Sequence, residues 1–141
     1  MRNCLLALAL AGTAASAQPA PQALDAAAAQ AIVVVDTGGH LISALRMDGN
    51  GYGSVDFATA KAEAAAAWGF PTAAMAEGAR MTPGFAAAPH VVTVPGGIPV
   101  FSADGRTRLG GVGASGEAPA DDAACAAAGI AAAGLKSERA R

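Results

Sequence analysis

The 141-residue chain has little of what usually fixes a protein's class: two cysteines, two histidines, 4% aromatic and 14% charged residues. Cys4 lies in an N-terminal stretch that reads as a removable leader, so the mature chain keeps Cys125 alone and forms no intramolecular disulfide. Nine basic residues stand against eleven acidic ones, a net charge of −2, which excludes the basic face that nucleic-acid binding needs. No apolar run approaches the roughly 20 residues that span a bilayer, so membrane insertion is not expected. With few aromatics, the core must be built from Ala, Val, Leu and Ile, and such small side chains let helices lie close to a sheet.

Arg2, the apolar stretch Leu5 to Ala11 and the small residues Ala15-Ser16-Ala17 have the order of a secretory signal, with cleavage after Ala17. Cys4 precedes the apolar stretch and so cannot be a lipidated residue at the cleavage site. Residues 1–17 are thus expected to be a signal peptide and residues 18–141 a single domain, exported to the periplasm or secreted.

Within that domain, Leu24 to Ala31 reads as a short Ala-rich helix leading into a hairpin of Ile32–Val35 and Leu41–Leu45. The turn between them, Asp36-Thr37-Gly38-Gly39, supplies the left-handed positions that a tight reversal needs. Ser54 is expected to cap a helix over Val55–Trp68, with Phe57, Ala60, Ala64 and Trp68 towards the core and Gly69 as its stop. Thr72 opens a second helix that ends near Arg80, with Met75 and Ala79 available to pack. Three strands follow, Val91–Val94, Ile98–Phe101 and Leu109–Ala114, the last two forming a hairpin. A terminal helix, Asp122–Ala133, ends at Gly134. The order gives an α+β fold with one antiparallel sheet of about five strands and helices packed against it.

Two motifs are excluded by context. Gly111-Val112-Gly113-Ala114-Ser115-Gly116 spells GxGxxG, but too little chain follows to complete a βαβ unit, so its glycines read as sites of close packing. Ser115 fails the nucleophile-elbow pattern because Glu117 stands where the second glycine belongs. The candidate ligand residues are therefore few. His40 at the turn and His90 after Pro89 can each ligate a metal or haem iron, or simply be a solvated and a backbone-bonded histidine. Arg46 and Lys61 can each bind an anionic group such as a propionate; Arg46 with Asp48 can equally be a structural corner, and Lys61 a snorkelling lysine at the edge of a buried face. Asp121-Asp122 reads first as a helix-start signal, and Cys125 as a small core residue.

Five blocks in order carry a resemblance: Val33-Val34-Val35-Asp36-Thr37-Gly38-Gly39-His40-Leu41; Arg46-Met47-Asp48-Gly49; Lys61-Ala62; Pro95-Gly96-Gly97-Ile98-Pro99-Val100; and Leu109 to Gly116 leading to Asp121 and Cys125. Together the chain resembles the HbpS-like family, also called GlcG-like, which includes haem-binding proteins and the C-terminal domain of PduO-type adenosyltransferases. The resemblance implies a profilin-like fold, assembly into homo-oligomers and, in some members, binding of haem or a related tetrapyrrole. The expected function is an exported small-molecule binding protein without catalysis of its own. The alternative is a haem-degrading enzyme or an accessory of a small-acid catabolic pathway. One departure stands out: the helix ahead of the first strand is shorter than in the family, so contacts made by that helix do not transfer.

Overall fold

A computed structural model describes residues 30–141. The predicted signal peptide, and the Leu24 to Ala31 helix as far as residue 29, lie outside the described residues. Ala31 itself is the first residue of β1, Ala31–Asp36, which turns into β2, Leu41–Arg46. Then come α1, Tyr52–Trp68, and α2, Thr72–Met81, a short 3-10 turn at Phe85–Ala87, the hairpin of β3, Gly97–Phe101, with β4, Arg108–Ser115, and finally α3, Pro119–Ala132. The sheet has four strands in the order β2-β1-β4-β3, every neighbouring pair antiparallel.

The fifth expected strand is not formed. Val91–Val94 has β-branched composition but runs as irregular chain. At Phe101 the outer edge of β3 is paired instead with Lys136, through Phe101 N–H to Lys136 O at 2.8 Å and Lys136 N–H to Phe101 O at 3.1 Å. Strand propensity alone does not make a strand.

Both faces of the sheet are used. On one face Ala31, Val33 and Val35 of β1 pack against Ala58, Ala62 and Ala66 of α1. On the other, Ile98, Val100, Val112 and Ala114 pack against Ala126 and Ile130 of α3, with Ile32 and Val34 of β1 at the margin. Close approach of α1 depends on glycine: a Cβ at Gly113 would sit 1.9 Å from the Ala58 carbonyl oxygen, and one at Gly111 would sit 2.3 Å from that of Ala62. The GxGxxG spelling is thus a helix-on-sheet contact.

Several details of α1 differ from expectation. The helix begins three residues earlier, after Gly51, and Ser54 lies inside it, donating to Asn50 Oδ1 at 3.2 Å instead of capping. Its buried residues are Ala58, Lys61, Ala62, Ala64, Ala65 and Ala66, whereas Phe57 and Trp68 remain more than a third exposed. In a helix so rich in alanine, nearly every face is apolar, and periodicity carries no direction. Thr72 does not cap α2 either; it is the first helical residue, and its buried hydroxyl accepts the Gly97 N–H at 3.0 Å. The end of α3 follows expectation: Gly134, at φ +72°, lets Leu135 N–H reach Ile130 O and Gly134 N–H reach Ala131 O, a paired C-terminal cap.

Candidate functional site

The first hairpin turn is organised by one carboxylate. Asp36 Oδ1 accepts the backbone N–H of Gly38 at 2.8 Å and of His40 at 2.9 Å, while Asp36 N–H and His40 O close the turn at 3.0 Å. Both carboxylate oxygens also lie 3.2 Å from His40 Nδ1. The Asp36 carboxyl is held below its ordinary pKa chiefly by the His40 backbone N–H, with the Gly38 N–H and the imidazole adding to the effect. The imidazole itself stands in solvent, its side chain 82% exposed.

An apolar cleft opens between the sheet and α3. Ile32, Val34, Val100 and Val112 form its floor, and Cys125, Ala126, Gly129 and Ile130 its helical wall, around a volume of about 270 Å³. A second recess of about 150 Å³ shares Val34, Val100 and Leu135 with it and extends to Ile42, Leu109 and Gly110. Asp36 pairs with Gly110 in the register of β1 and β4, and strand alternation places it on the face of Ile32 and Val34. Asp36 therefore stands at the end of the sheet that this recess reaches, while Thr37, Gly38 and Gly39 of the turn border Glu63 and Ala67 of α1. Cys125, the one thiol in the cleft lining, has its pKa raised by burial and by the negative charge of Asp122.

Arg46, Lys61 and His90 are placed elsewhere. Arg46 pairs in register with Ala31, which puts it on the α1 face, and its Nη1 donates to Asn50 O at 2.5 Å, tying the end of β2 to the loop before α1. His90, at φ +56°, lies across a separate cavity of about 140 Å³ bounded by Thr37, Gly38, Gly39, Glu63 and Ala67. Trp68 steadies its loop, donating from the indole to Pro89 O at 3.1 Å and meeting Phe85 edge to face. Lys61 does not snorkel. Its ammonium is 2.9 Å from Asp122 Oδ2 and 2.9 Å from Ala114 O, and 4.6 Å from the centroid of the Phe57 ring.

Asp122 is equally enclosed, accepting from Gln30 Nε2 at 3.3 Å and from Glu117 N–H at 3.1 Å. The pair ties α1 on one face to the first turn of α3 on the other, past the end of β4. Sequence reasoning missed both carboxylates as partners. In the sequence Asp36 reads as a turn residue and Asp122 as a helix-start residue; the two bases become their partners only once the chain is folded.

Helices on both faces of an antiparallel sheet, with an apolar cleft under the last of them, define an α+β sandwich of the HbpS kind. A double mutant of Streptomyces reticuli HbpS matches at 30% identity and a TM-score of 0.69, over 79% of this chain and 75% of that one. The PduOC:heme complex matches at 25% identity and a TM-score of 0.73, over 83% and 87% of the two chains. Klebsiella pneumoniae protein ORFY matches at 25% identity and a TM-score of 0.65, over 74% of each. The family described as "Haem degrading protein HbpS-like" matches residues 6–131, and the chain belongs to it. No curated protein matches the chain.

Proposed function

We propose that this chain is an exported, oligomeric binding protein that holds haem or a related tetrapyrrole without chemistry of its own. The apolar cleft beneath α3 is the observation that carries this reading. Its lining is aliphatic apart from Cys125, and with the adjoining recess it offers an apolar surface of the kind that the faces of a macrocycle pack against. His40 lines neither recess but stands exposed at the hairpin turn at that end of the sheet, and haem when bound would supply an iron that an imidazole nitrogen ligates. Assembly is supported by β2, whose six residues are all exposed, with Leu41 and Ile42 more than 60% open. Among the described residues no strand pairs with its outer edge, and an exposed apolar edge strand is a surface that a further chain stabilises. Export rests on the Arg2 to Ala17 pattern, and N-terminal sequencing of protein from the host compartment tests it, with cleavage after Ala17 expected.

Haemin titration of the purified chain tests the ligand. A sharpened, shifted Soret band saturating at one haemin per chain is expected, and an unaltered band contradicts the reading. Gly129 gives a cleaner control, because a Cβ there meets nothing within 4 Å. Gly129→Phe should fill the cleft, leave the melting temperature in place and weaken haemin binding. The family's description favours a second reading, haem degradation. Loss of the Soret band with release of iron, only when reductant is supplied, would select it.

A further inference from the structure

The Asp36–His40 contact specifies more than a place for the imidazole. An ionised carboxylate only accepts hydrogen bonds, so a ring nitrogen 3.2 Å from both of its oxygens must carry the proton. In the neutral ring the other nitrogen, Nε2, then keeps the lone pair. Gly38 makes the arrangement possible: a Cβ there would lie 2.8 Å from His40 Cε1 and Nδ1 and 3.3 Å from Asp36 Oδ1. Two backbone N–H groups anchor the same carboxylate, so its direction is fixed by the turn and not by the imidazole. His90, by contrast, has no hydrogen-bonded carboxylate among the described residues.

We infer that Asp36 is a positioning residue that holds His40 in its Nδ1–H form and so presents Nε2 as the atom that ligates iron. This rests on the haem reading for the identity of the metal, but not for the state of the ring. A carboxylate behind a ligating histidine orients the ring and raises its basicity, and loss of such a partner typically costs about 10- to 100-fold in affinity.

Asp36→Asn separates the roles. The carboxamide oxygen can keep the Gly38 and His40 backbone bonds, while its NH₂ group faces Nδ1 as a donor, which favours the Nε2–H form and removes the lone pair from the outward nitrogen. Long-range ¹H–¹⁵N spectra of the unliganded full chain at about pH 8, above the ordinary imidazole range, read the tautomer directly. The expected result is Nδ1–H in the parent chain, a shift towards Nε2–H in Asp36→Asn, and haemin affinity reduced about 10- to 100-fold in the variant. An Nε2–H ring in the parent chain, or a tautomer unmoved by Asp36→Asn, overturns the positioning role whatever haemin does. A moved tautomer with unchanged haemin affinity overturns Nε2 of His40 as the ligating atom. A parent chain that binds no haemin, with the tautomer moved as expected, defeats the haem reading and leaves the positioning role supported.

Discussion

Lys61 with Asp122 and His40 with Asp36 are both pairs of a base and a carboxylate, yet the first is sealed at 1% and 2% side-chain exposure and the second stands 82% and 43% open. In the sealed pair the hydrogen bonds are made inside the protein: Lys61 to Asp122 and Ala114, and Asp122 with Lys61, Gln30 and Glu117. In the open pair the carboxylate is spent on the turn and on one ring nitrogen, and the second ring nitrogen is left over. The same chemistry therefore serves architecture in one place and readiness for a ligand in the other. Desolvation decides which, because a buried charge needs all its partners at home.

Breaking the sealed pair should give the largest effect on stability. Lys61→Met leaves Asp122 charged and uncompensated between α1 and α3, and should cost about 3–5 kcal/mol in denaturant unfolding. Adding Asp122→Asn, which keeps an acceptor for Gln30 and Glu117, should recover much of that loss. Next comes the surface that lets α1 lie on the sheet: Gly113→Ala sets a methyl group against the Ala58 carbonyl and should cost about 1–3 kcal/mol by the same measurement.

The open pair should hardly register in stability. His40→Ala is expected to change unfolding by about 0.5 kcal/mol or less, as for other exposed positions. Asp36 adds a small acid dependence: its folded pKa is depressed, so its contribution is present above the ordinary carboxylate pKa and is lost as pH falls through the lowered value. An NMR titration following the Asp36 side chain should find its midpoint below 3.8. The smallest effect is at Cys125, whose raised pKa should make alkylation at neutral pH slower than for a free thiol.

Turn chemistry and glycine made much of this fold legible. The Asp36 to Gly39 reversal, the second hairpin and the Gly134 stop could each be read locally because short-range backbone geometry determines them. What escaped was decided at long range. Val91–Val94 pairs with no strand although its residues are all β-branched, and the buried face of α1 was misread because alanine on every side gives no amphipathic contrast. The separation of 61 positions from Lys61 to Asp122 hides their pairing completely from a linear reading. His40 was visible as a ligand candidate from residue type; that its Nδ1 is occupied and its Nε2 open depends on the turn folding back over Gly38. Arg46 and His90 were equally plausible from chemistry, and it is register and loop geometry that set them apart from the cleft.

The most direct test is the Soret spectrum of a stoichiometric haemin complex in the parent chain, His40→Ala and His90→Ala. The account predicts a saturable complex whose band is retained in His90→Ala and shifted or lost in His40→Ala, with all three chains melting within a few degrees of one another. A band lost in His90→Ala and unchanged in His40→Ala would contradict it.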